Sequence, residues 1–549
     1  MKLIRVWRCI CLRKESELES KSTIRATPEV PQSFWAAWRW WIIPAVLTLT
    51  LSLIFIDPFI GDWDALDYTL ASINGRPSSM ALGRSAFIFT NHAAWRVGHS
   101  LFGLSVENAY LLFKFMVIFQ SPLAVLACWT LARDVSASLH TATIAALLVA
   151  TSPFFVIYSG QVMTEIPSLL LLAVALLFYL RGARDGRLWL MLLGAAILGA
   201  GVNVREPVAF YAPWLIIAPF VCGWTRGLRE IGRVALCVVV FLIVALGPFA
   251  YWFWSDFEGY RAAWYGWRES MRVETMRHPL SLRNSLAFLV FFFLAAPLVC
   301  VALPAAAFKE WRANKFSPSL ALACVGFCAT LLLLLNYSTT INWRYFLTGL
   351  PALAPLVAAS FMRSQTMKMK STRRAFVSVI VGLAFISVIL GFYLKPSRDK
   401  FTAQHAAMKD YRARLALVSP DAVMISGAQS ISVTYWREVG AGRWQVIGAG
   451  SGWPGVELGN TIEKHLNENR RVIIDADPRF WAPCGWQETE TRDLVELESR
   501  FGFRRISDTI YEVRPHADDA ARDDANLKIL LPENRSAEVE KCKGQTKLS

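Results

Sequence analysis

Long apolar runs separated by short polar segments make up most of the chain. Runs long enough to cross a bilayer as helices begin near residues 41, 110, 141, 166, 188, 207, 234, 285, 319, 345 and 375. A helix needs about 20 mainly apolar residues to span the hydrocarbon, so the pattern predicts an α-helical polytopic membrane protein with about 11 spans over residues 41–395. A long polar and mixed segment, residues 57–109, follows the first span and forms the first outer loop of this prediction.

The pattern changes after residue 395, where short β-rich runs alternate with helical ones. The predicted strands are Ala422–Ser426, Trp444–Ile447, Arg471–Asp475 and Thr509–Val513. The predicted helices between and after them are Ser430–Val439, Glu457–Asn469 and Glu490–Phe501. This alternation predicts a small α/β domain over residues 396–515. Residues 516–549 are polar and aperiodic, which predicts a disordered tail.

Composition narrows the class of protein. The chain is 54% hydrophobic and only 18% charged, with a mean hydropathy of +0.37, which excludes a small secreted domain, a coiled coil and a disordered chain. Its 57 Lys and Arg against 42 Asp and Glu give a net charge of +15. These basic residues are scattered between apolar runs, so we expect them to face membrane lipids and not nucleic acid.

The basic residues also predict an orientation in the membrane. The tail, residues 1–40, is basic and leads into the first span without a cleavage site. Basic residues recur in alternate loops, at Arg133, Arg181 to Arg187, Arg226 to Arg233, Lys309 to Lys315 and Arg363 to Arg374. By the positive-inside rule the N-terminus is cytoplasmic, and an odd number of spans places residues 396–515 outside the plasma (inner) membrane.

Three carboxylates stand close together just after the first span. Asp62, Asp64 and Asp67 lie within the segment Gly61–Tyr68. Such a cluster repels itself and calls for a proton or a cationic partner, which favours a functional site. Ordinary loop and helix-capping roles for these aspartates are equally open. Asp62-Trp63-Asp64 also has the D-x-D form that can bind a divalent cation, although the pattern is weak and the preferred expectation is no metal and no cofactor.

Three further charged residues begin apolar spans on the predicted outer side. Glu165 precedes one span, where it or Thr164 could simply cap the helix. Arg205 lies in an outer turn between two apolar helices and could pair with Glu206 or with another helix, or snorkel to the interface. Arg344 opens a later span.

The loop order places Asp64, Glu165, Arg205 and Arg344 on one side of the membrane. Arginine forks bind phosphate bidentately, and a carboxylate can accept a proton from an attacking hydroxyl. These are the groups that a transferase acting on a lipid phosphate needs.

The order of these short motifs resembles that of the integral-membrane C-type (GT-C) glycosyltransferases, the group that includes protein O-mannosyltransferases and lipid A aminoarabinose transferases. The matching features are Asp64 four residues before Tyr68, the run Val162–Pro167 that enters a span, and Trp343–Leu347 with Pro351 behind it. The likeness extends over about residues 35 to 395.

The resemblance implies a membrane enzyme that transfers a hexosyl or pentosyl unit from a polyprenyl-phosphate donor. It implies that Asp64 contacts the acceptor or serves as base, that Glu165 is a second acid, and that Arg344 holds the donor phosphate with Arg205 as a weaker ligand. Direct displacement inverts the anomeric carbon. The acceptor, whether glycan, lipid or protein, stays open.

The chain departs from the family pattern at Ala65, where relatives often carry a second acid. Asp62 or Asp67 is the candidate substitute, and Tyr68 completes the set of possible substrate-binding residues. The stretch from Gly83 to Val97 lacks the proline-rich pattern common in that loop.

Two other functions are compatible with a chain of this composition. A transporter or flippase of a lipid-linked or anionic substrate predicts charges near mid-span and paired broken helices, whereas the candidate charges here lie at span ends. A non-catalytic scaffold that presents the domain at residues 396–515 predicts that Asp64 is dispensable.

Overall fold

The computed structural model describes residues 38–60, 63–78, 84–224, 227–261, 263–265, 267–268, 282–314, 317–336, 343–368, 372–426, 430–448, 458–475, 497, 500–507 and 509–515. The chain divides into two compact units, Met1–Ile43 and Pro44–Ser549, and all candidate site residues belong to the second. The predicted tail at residues 516–549 and most of residues 1–40 lie outside the described residues.

Helices dominate the first three quarters of the described chain. In chain order they are α1 Trp38–Ile54, α2 Trp63–Asn74, α3 Ser85–Phe102, α4 Ala109–Ser136, α5 Leu139–Ala150, α6 Pro153–Ser159, α7 Glu165–Asp185, α8 Leu188–Val202, α9 Trp214–Val221, α10 Leu228–Ser255, α11 Leu282–Ala295, α12 Pro297–Asn314, α13 Pro318–Asn336, α14 Leu350–Lys368 and α15 Thr372–Leu415. Short 3-10 helices at Val106–Asn108, Glu206–Tyr211 and Trp343–Gly349 lead into α4, α9 and α14.

Three described segments are long and apolar enough to cross a membrane by length and composition: Val106–Ser136, α7 and α10. Two bent pairs, α5 with α6 and α11 with α12, raise that number to five if each pair is one span, with bends of 65° and 109°. Each bend precedes a proline, Pro153 or Pro297, which removes a helical hydrogen bond and disfavours helix at the residue before it. The count of about 11 spans therefore stays a prediction.

Most of the helix α7 is buried by the surrounding helices. It packs closely against α8 through two glycines: a Cβ on Gly194 would lie 2.7 Å from the Tyr179 backbone nitrogen, and one on Gly182 would lie 2.6 Å from that of Met191. Small residues at such crossings let two backbones approach. The Tyr179 hydroxyl donates a hydrogen bond of 2.5 Å to the Leu215 carbonyl. This packing fixes the position of Glu165, the first residue of α7.

A small mixed sheet follows α15. Its strands are β1 Val423–Ser426, β2 Gln445–Gly448, β3 Val472–Asp475, β4 Phe501–Arg505 and β5 Ile510–Pro515, with the helices α16 Ser430–Glu438 and α17 Leu458–Asn467 between them. The order across the sheet is β2-β1-β3-β5-β4. Strand β1 pairs in parallel with β2 and β3, and β5 pairs in antiparallel fashion with β3 and β4. Strands β1 and β3 are fully buried.

The four predicted strands and two of the predicted helices are confirmed to within two residues at their ends. Most of the third predicted helix, at residues 490–501, lies outside the described residues, and its last residue, Phe501, begins β4 instead. That these elements form a separate domain outside the membrane stays a prediction.

The segment after the membrane helices contacts the loop that follows α1. The Phe59 ring stacks on Trp436 of α16, with ring centroids 5.8 Å apart and planes 5° apart, and on His405 of α15 at 5.7 Å. Arg412 of α15 forms an ion pair of 2.6 Å with Glu107 and lies over the Trp436 ring. The described end of α15 and α16 therefore support the segment that leads into α2.

Candidate active site

Four charged side chains from distant parts of the chain meet at one place. Asp64 begins α2, Glu165 begins α7, Arg205 precedes the 3-10 helix before α9, and Arg344 lies in the 3-10 helix before α14. We call these residues the four-charge cluster. Arg344 Nη2 donates to Asp64 Oδ2, and Arg205 Nη1 is ion-paired with Glu165 Oε1. Arg344 Nε lies 3.4 Å from the same Glu165 oxygen, so Arg344 links the two pairs.

The four side chains of the cluster differ in their exposure to solvent. The side chains of Glu165 and Arg205 are 1% and 2% exposed, whereas those of Arg344 and Asp64 are 16% and 25% exposed. The Arg205 guanidinium also lies over the Tyr345 ring at 4.2 Å, a cation–π contact that holds it in place. The inner pair is therefore sealed, and the outer pair can be reached by a ligand.

Electrostatics favour the ionised form of Asp64. Burial alone would raise the pKa of this carboxyl, but the ion pair and hydrogen bond with Arg344 outweigh burial and hold the pKa below its usual value. Because two carboxylates face two guanidiniums, the four-charge cluster carries no net charge.

Two local alternatives that the sequence left open, a cap by Thr164 and a pair of Arg205 with Glu206, are not observed. The side chain of Thr164 makes no capping hydrogen bond at the start of α7. Arg205 is ion-paired with Glu165 and not with Glu206. Glu206 is ion-paired with Arg84 instead.

Arg84 is a neighbouring residue that the sequence reasoning missed. Its side chain is 6% exposed and is ion-paired with Glu206. Its Nε also donates a hydrogen bond of 3.1 Å to the Tyr68 hydroxyl, so Arg84 links α2 to the 3-10 helix before α9. The Tyr68 and Phe87 rings pack edge to face, with their centroids 5.9 Å apart. Burial raises the pKa of the Tyr68 hydroxyl above its usual range. A single arginine in a long mixed loop carries no motif, so only the fold reveals its place.

The structure describes only one of the two remaining candidate aspartates of the first loop. Asp67 is buried and accepts a hydrogen bond from the Ser78 hydroxyl. Asp62 lies outside the described residues, so its part in a D-x-D site stays a prediction. Among the residues that the structure does describe, no three His, Cys, Asp or Glu side chains gather as they would around a metal ion.

A second missed residue, Lys114, holds the segment before Asp64. Although it lies in the apolar helix α4 and is buried, its Nζ donates hydrogen bonds of 2.5 Å to the backbone oxygens of Asp57 and Phe59. The Asp57 amide donates to the Gly160 carbonyl at 3.2 Å, and a Cβ on Gly160 would lie 2.9 Å from the Ile56 Cα. A lysine inside an apolar span was the available signal.

Known structures resemble this arrangement of helices and sheet over almost its whole length. The crystal structure of ArnT from Cupriavidus metallidurans bound to undecaprenyl phosphate matches with a TM-score of 0.57 and 14% identity, covering 88% of this chain and 99% of that one. Its apo structure matches with a TM-score of 0.56 and 15% identity, covering 87% and 98%. This chain has the GT-C fold.

Sequence comparison gives a more local match to the same GT-C group. Residues 93–252 match the model of the dolichyl-phosphate-mannose-protein mannosyltransferase family. That region contains Glu165 and Arg205 but neither Asp64 nor Arg344. No curated protein sequence matches the chain. The resemblance to GT-C glycosyltransferases inferred from the motifs is confirmed.

Proposed function

We propose that this protein is a membrane glycosyltransferase that moves a hexosyl or pentosyl unit from a polyprenyl-phosphate donor to an acceptor hydroxyl. In this proposal the reaction takes place at the outer face of the plasma (inner) membrane and inverts the anomeric carbon. The observation that carries the proposal is the four-charge cluster: two carboxylates and two guanidiniums from four elements converge where α7 begins, in a chain with the GT-C fold.

The donor phosphate is assigned to Arg344 and Arg205. The ArnT structure with the same fold holds undecaprenyl phosphate, which supports a polyprenyl-phosphate donor here. Arg344 is the accessible arginine, and a guanidinium has five N–H donors that can bind a phosphate in fork geometry. Arg205 supplies a second positive charge behind it, sealed from water, where charge stabilisation is strongest.

The base is assigned to Asp64, the most exposed of the four side chains. Its carboxylate accepts the proton of the acceptor hydroxyl while the oxygen attacks the anomeric carbon from the side opposite the phosphate. The bond from that carbon to the phosphate oxygen breaks, its electrons remain on the phosphate, and the arginines stabilise the added negative charge. The products are the inverted glycoside and the polyprenyl phosphate.

Glu165 is a positioning residue in this mechanism. Its carboxylate lies between Arg205 and Arg344 and is 1% exposed, so it orients both guanidiniums without reaching the acceptor. This assignment keeps Glu165 as the second acid of the site and gives it a role that its burial allows.

Binding of the donor is expected to activate the base. Arg344 holds the pKa of Asp64 low, and a donor phosphate competes with Asp64 for the same guanidinium. When the phosphate neutralises Arg344, the pKa of Asp64 rises and its carboxylate becomes a stronger base. The acceptor would thus be deprotonated only when a donor is present.

The proposal is tested by mass spectrometry of envelope glycans, lipids and proteins from cells with and without the gene. We expect one conjugate to lose a single hexose or pentose unit, and that unit to return with the wild-type gene but not with Asp64→Asn produced at the same level. A flippase or transporter would instead cause the intact lipid-linked precursor to accumulate on one side of the membrane. Restoration by Asp64→Asn would contradict the proposal.

A further inference from the structure

A second group of charges lies at the opposite end of α7. Asp134, near the end of α4, is surrounded by three arginines: Arg181 Nε lies 2.5 Å from Oδ2, Arg133 Nε lies 3.4 Å from Oδ1, and Arg184 Nη2 lies 4.0 Å from Oδ2. Three guanidiniums thus share one carboxylate. Arg184 also pairs with Asp185 at 3.2 Å.

These side chains line an open pocket of about 450 Å³. Its charged lining consists of four arginines and two aspartates, a net charge of +2: Arg133, Arg181, Arg184, Arg187, Asp134 and Asp185. We call it the arginine pocket. Within the described part of the chain Arg187 makes no ion pair, and Arg184 is 50% exposed, so both can turn their donors to a ligand. The pocket therefore has an unmet preference for an anion.

The position of the pocket indicates where that anion comes from. The helices α4 and α7 belong to segments long enough to cross a bilayer, and both end at the pocket. With a rise of 1.5 Å per residue, α7 separates the pocket from Glu165 by about 30 Å, the thickness of the hydrocarbon layer. Trp189 lines the same pocket, and its side chain is 61% exposed. Tryptophan is enriched at the level of the lipid headgroups.

We propose that the arginine pocket binds the phosphate headgroup of an anionic phospholipid. A phosphate can accept paired N–H bonds from Arg184 and Arg187 while Asp134 keeps Arg181 and Arg133 in place. Basic pockets between membrane helices recognise anionic headgroups in this way. The site lies one membrane thickness from the four-charge cluster and does not depend on the proposed transfer reaction.

The test is a titration of phosphatidylglycerol into the full-length protein in neutral detergent, with bound lipid counted by native mass spectrometry. Two arginines near a headgroup contribute enough that Arg184→Gln with Arg187→Gln should weaken the apparent affinity about 30-fold. The matched control is Arg229→Gln, an exposed arginine at the start of α10, which should bind phosphatidylglycerol as the wild type does. Phosphatidylcholine and inorganic phosphate at the same ionic strength should not compete.

Three results would overturn the inference. Unchanged affinity in the double variant would show that the arginines only cap the ends of α4 and α7. An equal loss in Arg229→Gln would show general surface attraction, and effective competition by inorganic phosphate would show a site for a free anion. If the double variant does not fold, Arg187→Gln alone breaks no described ion pair and should weaken binding about fivefold.

Discussion

The two ends of α7 hold charge in opposite ways. Near its N-terminal end the Glu165 and Arg205 side chains are 1% and 2% exposed, whereas the Arg181 and Arg184 side chains near its C-terminal end are 28% and 50% exposed. Removing an ion pair from water costs several kcal/mol per ion, and an apolar replacement of similar volume is often at least as stable. A buried cluster of this kind is therefore weak evidence for stability and marks a candidate functional site.

The two groups also differ in charge balance. The four-charge cluster is neutral, so we expect an entering anion to compete with an internal carboxylate, such as Asp64, for Arg344. The arginine pocket is net positive and open, so it can take up an anion without losing an internal partner. The first arrangement suits a site whose chemistry depends on the ligand, and the second suits steady contact with a lipid surface.

We expect the largest loss of activity when the accessible arginine of the four-charge cluster is removed. Arg344→Ala should lower kcat about 100- to 1,000-fold, the usual loss when one preorganised donor to developing charge is removed. Arg344→Lys should be intermediate, because it keeps the charge but not the fork. The measurement is transfer of labelled sugar in reconstituted vesicles, with Arg229→Ala as the control.

The Arg344 variants should insert into the membrane and elute as the wild type does in size-exclusion chromatography. A kcat for Arg344→Ala within a few-fold of the wild type would show that the cluster is structural, and the contrast between the two ends of α7 would lose its functional meaning.

Substitutions at the two ends of α7 should also differ in their effect on the free energy of unfolding. Glu165→Gln leaves Arg205 buried beside a neutral amide and should cost about 3 to 5 kcal/mol, whereas Arg184→Gln should cost about 0 to 1 kcal/mol because water and salt screen that pair. Thermal unfolding of each variant in the same detergent measures the difference. The double variant Glu165→Gln with Arg205→Gln should be less destabilised than the sum of the two single variants. Equal melting temperatures for Glu165→Gln and Arg184→Gln would contradict the prediction.

A glycine substitution tests how Asp64 is positioned without changing any charged residue. Gly160→Ala would place a methyl group 2.9 Å from the Ile56 Cα and push the segment that leads into α2. A shift of Asp64 by about 1 Å can cost about 100-fold in kcat, with a smaller change in donor KM. Gly247→Ala is the control, since open space surrounds that position on α10. Full activity in Gly160→Ala would mean that this contact does not position Asp64.

Sequence patterns predict well those features that a single element carries by itself. Short β-rich apolar runs predicted β1 and β3, which are buried on both faces. Glu165 and Arg344 could be found because each opens an apolar run next to a short motif. Arg205 could be found for the same reason, although its partner could not.

Some contacts between distant elements were not predicted. Arg84 lies in a loop without a motif, and it matters only because the fold brings Tyr68 and Glu206 to it. Lys114 is inconspicuous until the oxygens of Asp57 and Phe59 are found against it. Strand β4 begins at the end of a run with helical periodicity and is stabilised by pairing with β5. In each case tertiary contacts, and not local preference, decide the outcome.

The dependence of rate on pH gives the smallest effect and the most specific one. Asp64 must be ionised to accept a proton, so the rate falls as the pH drops through the pKa of Asp64. In the free enzyme Arg344 holds that pKa low, and the donor phosphate is expected to raise it by binding Arg344 in place of Asp64.

The acidic limb of the kcat/KM profile reports the pKa in the free enzyme, and the acidic limb of the kcat profile reports the pKa in the enzyme–substrate complex. We therefore expect the kcat limb at a higher pH than the kcat/KM limb. Profiles at constant ionic strength measure both limbs, and the residual rate of Asp64→Asn should show neither. If the two acidic limbs lie at the same pH, Asp64 and the donor phosphate do not compete for Arg344. The four-charge cluster would then bind its anion, as the arginine pocket does, without rearranging its own ion pairs.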